Sequence, residues 1–214
     1  MTRLSSAVFF DLDGTLTDPK VGITTCLRFA LESVGCEAPS AEDLTWCIGP
    51  PLLQSLEKLV GRDRAPAALQ AYRERFSEVG WSENSPYDGI GEALAELQNR
   101  GRPLFVATSK PHVYARRILH HFELAPYFIE IFGAELDGTR SDKSELLRYA
   151  LSRFERSGEQ TMVGDRSHDV VGALANGMTP IGVSYGYGSV DELESAGAKA
   201  VVAAPEFLVE RLVS

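Results

Sequence analysis

The chain has 214 residues, enough for one sizeable domain or for a core with a smaller companion. Its 44% hydrophobic and 24% charged content is ordinary for a globular protein, and a net charge of −9 argues against nucleic acid or an anionic membrane surface as a partner of the whole molecule. A small anionic substrate then requires locally placed positive charge. No stretch approaches the roughly 18 apolar residues of a membrane span, and the first apolar run, broken at Asp11, is too short for a secretory signal. Cys26, Cys36 and Cys47 are odd in number and lack metal-ligand spacing, so the expectation is reduced thiols in a cytoplasmic protein.

In chain order, Ala7-Val8-Phe9-Phe10 predicts a buried strand that Asp13-Gly14 ends in a turn. Residues two apart in a strand share a face, so Asp11 and Asp13 point at one spot beyond the strand end. Ile23, Leu27, Leu31 and Val34 then recur at helical spacing. Ser40 with Asp43 forms an N-cap signature, and Gly49-Pro50-Pro51 breaks the chain before a third apolar helix. A fourth helix is expected over residues 66–79. Four helices without an intervening strand predict a small helical unit. Residues 82–89 read as a return linker, with Tyr87 and Gly89 as possible hinge residues. From there to the end, strand and helix alternate, with strands expected at residues 103–107, 128–132, 160–163, 180–183 and 200–202.

This alternation predicts an α/β fold, a doubly wound, mostly parallel sheet with a Rossmann-like core. A small all-helical cap is inserted after the first strand, giving a core of residues 1–16 and 86–214 and a cap of residues 17–85. In such sheets the ligand crevice lies beyond the carboxyl ends of the strands. Three further polar sets fall at those ends or just before helices: Thr108-Ser109-Lys110, Lys143, and Gly164-Asp165-Arg166-Ser167-His168-Asp169.

In order and position, DLDGTLTD, ATSK, the lysine of SDKSELL and GDRSHD resemble the four motifs of the haloacid dehalogenase superfamily, and the resemblance covers essentially the whole chain. Within it the chain is similar to phosphoglycolate phosphatases and a related 5′-nucleotidase group. The resemblance implies hydrolysis of a small phosphorylated metabolite through an aspartyl-phosphate, with Asp11 as nucleophile and Asp13 as acid/base. It implies Mg2+ held by Asp11, Asp13 (through its carbonyl), Asp165 and Asp169, and phosphate bound by Thr108, Ser109, Lys110 and Lys143. Halide needs no proton on leaving, so Asp13 favours phosphoryl chemistry.

Taken alone, each motif has a plainer reading. DxDG begins calcium loops, but Gly14 comes too early and Leu12 and Leu16 break the ligand alternation. Asp165 and Asp169 could be a turn and a helix cap, the two lysines surface residues, and the four histidines helix-surface residues without a role. A phosphomutase is the alternative enzyme, and a phospho-receiver module the alternative outside enzymes. The nucleotidase preference rests on the loop from Gly133 to Arg140. Gly49-Pro50-Pro51, Arg28, Arg62, Arg73 and Arg75 are candidates for substrate selection that the sequence does not separate.

Overall fold

The computed structural model describes residues 3–213 and divides them into two compact units. One comprises the chain up to Asp18 together with everything from Pro86 onward, and the other is Pro19–Ser85.

The larger unit is built on a six-stranded sheet. Its strands are β1 (Val8–Phe10), β2 (Leu104–Pro111), β3 (Glu130–Ala134), β4 (Thr161–Gly164), β5 (Thr179–Val183) and β6 (Ala200–Val202). Their spatial order is β6-β5-β4-β1-β2-β3, and every pairing is parallel. The first strand therefore lies in the interior, with Val8 opposite Leu104 on one side and Thr161 on the other. A strand paired on both edges and covered on both faces has to be apolar throughout, which is why Val8, Phe9 and Phe10 are consecutive and all buried.

Side chains alternate across the sheet. Phe9 stacks on Phe105 with ring centroids 4.8 Å apart, while Phe10 meets Phe128 edge-on at 6.3 Å. The Phe9 side is completed by Leu146, Leu147 and Ala150 of the helix Lys143–Ser152 and by Ala173 of the helix Ser167–Ala175. The sheet runs both ways from its first strand, so the doubly wound parallel architecture holds, and the carboxyl ends of β5, β4, β1 and β2 lie side by side.

Several boundaries differ from the sequence reading for identifiable reasons. Thr108, Ser109 and Lys110 lie inside β2 rather than beyond it, where the register with β3 shifts between Thr108 and Pro111. Such an irregularity turns side chains toward the strand end. Phe128 is not in β3, because a 3-10 turn at Ala125–Tyr127 delays the strand until Glu130. One short parallel pairing was not anticipated, that of Arg3–Ser5 with Glu155–Ser157.

The smaller unit is helical: Lys20–Ser33, a 3-10 helix at Glu42–Cys47, then Leu52–Val60 and Ala65–Arg75. Ser40 caps as expected, its hydroxyl accepting from the Asp43 amide at 3.2 Å, although the segment it opens is 3-10 rather than α. The last helix ends earlier than its apolar spacing suggests and widens into a π turn at Phe76–Gly80. Gly22 and Gly80 meet backbone to backbone there, since a Cβ on Gly22 would overlap the Gly80 carbonyl. Arg75, one of the candidate substrate arginines, is held inside this unit. Its guanidinium bonds both oxygens of Glu83 at 2.7 and 2.9 Å and Sγ of Cys26 at 3.0 Å. Among the described residues no helix is long and apolar enough to cross a membrane.

Phe105 touches Phe9, Phe132 and Phe154 at the centre of the core. Phe105→Ala should lower the unfolding free energy by about 3–5 kcal/mol, read from urea denaturation.

Candidate active site

The site forms because polar residues stand at the carboxyl ends of three neighbouring strands, β4, β1 and β2. Asp11 follows β1, its amide donating to the Val163 carbonyl at 2.9 Å as the last rung between β1 and β4. Asp165 follows β4 in the same way. Gly14 then lets the chain turn back beside Asp165. Its φ is +84°, and a Cβ there would overlap the Asp165 carboxylate. The helix Lys143–Ser152 begins on the lysine itself, with Asp142 as N-cap accepting from the Glu145 amide at 3.0 Å.

A lysine on the first turn of a helix is opposed by the helix dipole, so carboxylates must hold it there. Lys143 Nζ donates to Asp11 Oδ1 at 2.9 Å and to the Ala107 carbonyl at 2.8 Å, and lies 2.7 Å from Asp169 Oδ1. Its three protons are thereby accounted for. Burial by itself would lower the Lys143 pKa, but Asp11 and Asp169 more than reverse this, keeping it charged. Asp169 uses its second oxygen to accept from the Arg166 amide at 3.1 Å, which caps the helix Ser167–Ala175. Glu192 accepts from the Ser167 amide at 2.8 Å and from Arg166 Nε at 3.1 Å.

Lys110 has a partner that the sequence reading did not anticipate. Its Nζ lies 2.5 Å from Asp13 Oδ2, a buried ion pair. Thr108 Oγ1 accepts from the Lys110 amide at 3.2 Å, which fixes the bend that carries the lysine. Ser109 is partly exposed at the same bend. Thr108, Lys110 and Lys143 are thus gathered with Asp11, Asp13, Asp165 and Asp169, while the Asp13 carboxylate faces Lys110 rather than the other three acids.

Ligand oxygens of Asp11, Asp165 and Asp169 come within 4.8 Å of one another. Three carboxylates at that spacing repel by roughly 3 kcal/mol per pair at an effective dielectric near 20. The consequence appears in their proton affinities. Burial and then Asp169 and Asp11 push Asp165 well above the usual carboxylate range, and burial pushes Asp169 up to about 6 despite Lys143. Burial also raises Asp13, with Lys110 pulling the other way.

The four buried carboxylates face two buried lysines, leaving two negative charges uncompensated. Asp165 Oδ1 and Asp13 Oδ1 are buried with no hydrogen-bond partner among the described residues. An all-oxygen donor set with a deficit of two charges and an orphaned buried oxygen fits a hard divalent cation.

The loop after β5 was not singled out from sequence. The Tyr187 amide donates to Asp165 Oδ2 at 2.8 Å, the Tyr185 hydroxyl donates to the Thr15 carbonyl at 3.0 Å, and the Tyr187 hydroxyl donates to Asp18. The available signal was its place, Tyr185-Gly186-Tyr187-Gly188 directly after a strand. Between β3 and Lys143, Glu135 accepts from Arg140 and lies 3.2 Å from His112 Nδ1, and the Arg140 guanidinium lies 4.5 Å from the Tyr149 ring centre.

A doubly wound α/β enzyme with an acidic, cation-demanding cluster and two lysines at its switch point is the class that this fold and site define. Residues 8–183 match the haloacid dehalogenase-like hydrolase family, and the chain belongs to that family. It is 50% identical over 191 residues to a 5′-nucleotidase of Pseudomonas aeruginosa, covering 88% of this chain and 86% of that one. It is 43% identical over 195 residues to the tyrosine-protein kinase PtkA of Mycobacterium tuberculosis, covering 91% of this chain and 67% of that one. A solved structure of a predicted phosphatase from Clostridium acetobutylicum superposes with a TM-score of 0.92 at 40% identity, covering 98% of this chain and 99% of that one. Family and relatives together make this chain a phosphatase.

The raised carboxylates give a stability signature. An acid whose folded pKa lies above its unfolded value binds more protons when folded, so its contribution is complete below the unfolded pKa and is lost as pH rises through the folded one. In chelator, Asp169 should therefore make thermal stability fall between about pH 4 and pH 6. A divalent cation should restore it, with a larger rise in Tm near pH 7 than near pH 5, measured by differential scanning fluorimetry.

Proposed function

We propose that the chain hydrolyses a nucleoside 5′-monophosphate through an aspartyl-phosphate on Asp11, with Mg2+ at the cluster of Asp11, Asp165 and Asp169. The observation that carries the chemistry is the state of Asp11: buried, fixed by Lys143 at 2.9 Å, and two residues from a second carboxyl with raised proton affinity. The observation that carries the substrate is the 50% identity to a 5′-nucleotidase, with coverage above 85% of both chains.

In the first step an oxygen of Asp11 attacks phosphorus, the bond from phosphorus to the ester oxygen breaks, and Asp13 gives its proton to the departing alcohol. A nucleophilic carboxylate needs no activating base at neutral pH. The acid must instead carry a proton when the ester oxygen departs, and burial of Asp13 raises its proton affinity in that direction against the pull of Lys110. In the second step Asp13 takes a proton from water, the water oxygen attacks phosphorus, and the carboxylate of Asp11 is released along with phosphate. Lys110 holds Asp13 in place for both transfers.

Thr108 and the Ser109 amide are assigned to the phosphoryl oxygens, and Lys143 to charge on the nucleophile and the transferring group. When bound, Mg2+ supplies the two positive charges the cluster lacks and screens the incoming dianion. This answers the charge problem raised by the net −9 of the chain. Residues 17–85 are read as the cap of the family, and a cytoplasmic location accompanies the metabolite substrate.

A second reading has one observation in its favour, the 43% identity to a protein named a tyrosine kinase. The same aspartyl-phosphate would then pass its group to an acceptor other than water. A phosphomutase would do so to a second hydroxyl of its own substrate.

Phosphate release should be measured across nucleoside 5′-monophosphates, 2-phosphoglycolate and p-nitrophenyl phosphate. The expected result is turnover on nucleotides that stops with chelator and drops about a thousandfold or more in Asp11→Asn. Wild-type turnover by Asp11→Asn would remove the nucleophile assignment. Phosphate found on an acceptor in place of free phosphate would favour the second reading.

A further inference from the structure

The structure assigns to the loop Tyr185-Gly186-Tyr187-Gly188 the task of aligning Asp165 for the cation and locking the Asp165 loop to the loop that carries Asp11 and Asp13. These are positioning residues, and the inference rests on the metal-dependent reading of the site given above. Three observations carry it.

First, the loop holds Asp165 by one oxygen only. Oδ2 accepts the Tyr187 amide at 2.8 Å, while Oδ1 is buried without a partner among the described residues, although Asp165 contributes to the three-carboxylate cluster. A carboxylate anchored through one oxygen presents the other in a fixed direction, which is what an outer partner of a ligand does.

Second, the loop spans two strand ends. The Tyr185 hydroxyl donates to the Thr15 carbonyl at 3.0 Å, and the Tyr187 hydroxyl donates to Asp18, both on the segment that follows β1. The Tyr187 amide reaches the segment that follows β4. Asp11 and Asp165 lie on separate strands, so their spacing depends on whatever ties these two segments together beyond the sheet.

Third, the fit leaves no room for a side chain. A Cβ on Gly186 would overlap both the Gly14 carbonyl and the Asp165 carboxylate, and one on Gly188 would overlap the Asp165 carbonyl. Neither glycine has the positive φ that would by itself require glycine. Close approach to the catalytic loops is the remaining reason for them. The hydroxyls of Tyr185 and Tyr187 are pushed up by burial, so both remain donors across the working pH range.

The test is metal affinity measured directly on the full chain, with Mn2+ as the probe, by electron paramagnetic resonance and by competition with Mg2+. Gly186→Ala should weaken Mn2+ binding about 10- to 100-fold while cooperative unfolding in chelator is retained. Tyr185→Phe, which deletes a single hydrogen bond and keeps the ring, should weaken it roughly two- to tenfold. The control is Gly101→Ala, strained at φ +72° in the turn that precedes β2, at the end of that strand remote from Thr108. It should lower Tm and leave Mn2+ affinity unchanged.

Wild-type affinity in both loop variants would overturn the assignment. Equal weakening by Gly101→Ala would also overturn it, by showing that general loosening suffices. If Gly186→Ala does not fold, Tyr185→Phe decides alone. A wild-type chain that binds no Mn2+ overturns the cation reading itself, an outcome distinct from variants that match a wild type that does bind.

Discussion

Four buried carboxylates against two buried lysines form the constraint from which the rest of this site follows. Charges that close and that dry are stable only when each is given a partner or a proton. Lys143 is shared between Asp11 and Asp169, Lys110 is paired with Asp13, and Asp165 receives only a backbone amide. Asp165, the residue with the least compensation, has its pKa raised well above the ordinary carboxylate range by burial and by its acidic neighbours. The unmet charge is concentrated where a cation would sit.

The fold makes such crowding possible by dividing the cost among elements. No single strand contributes more than one acid to the three-carboxylate cluster. Asp11 comes from the end of β1, Asp165 from the end of β4, and Asp169 from the first turn of the helix after it. Each is held by a backbone that is fixed for other reasons: the β1–β4 ladder, the Gly14 turn, and the cap at Arg166. The apolar ladder of Phe9, Phe105 and Phe132 beneath these ends supplies the cohesion that the polar end cannot. Local instability of the site is thus supported by the stability of the sheet.

The same arrangement explains which residues could be found without coordinates. Asp11, Asp13, Thr108, Lys143, Asp165 and Asp169 each stand at a predicted strand end or helix start, so position and residue type together pointed to them. Lys110 was found, but its pairing with Asp13 was not, because nothing in one dimension tells that a lysine after a strand faces an acid 97 residues away. Arg75 was a candidate for substrate and proved to be a clamp between Glu83 and Cys26, a choice made by helix packing. The Tyr185–Gly188 loop carried no charged residue to mark it, and its role depends on contacts with Thr15 and Asp165 that only the closed sheet creates.

The sequence by itself determined the α/β class, because strand and helix periodicities are local and alternate without interruption after the helical insert. It also marked the candidate reactive groups, since turns and caps at strand ends are written in short runs. Strand order, the bulge that turns Lys110 toward Asp13, the π turn that seats Gly80 against Gly22, and the spacing of Asp11 from Asp165 were decided only by the tertiary structure. Those are sums of long-range packing and electrostatics between segments distant in the chain, and no local pattern encodes them.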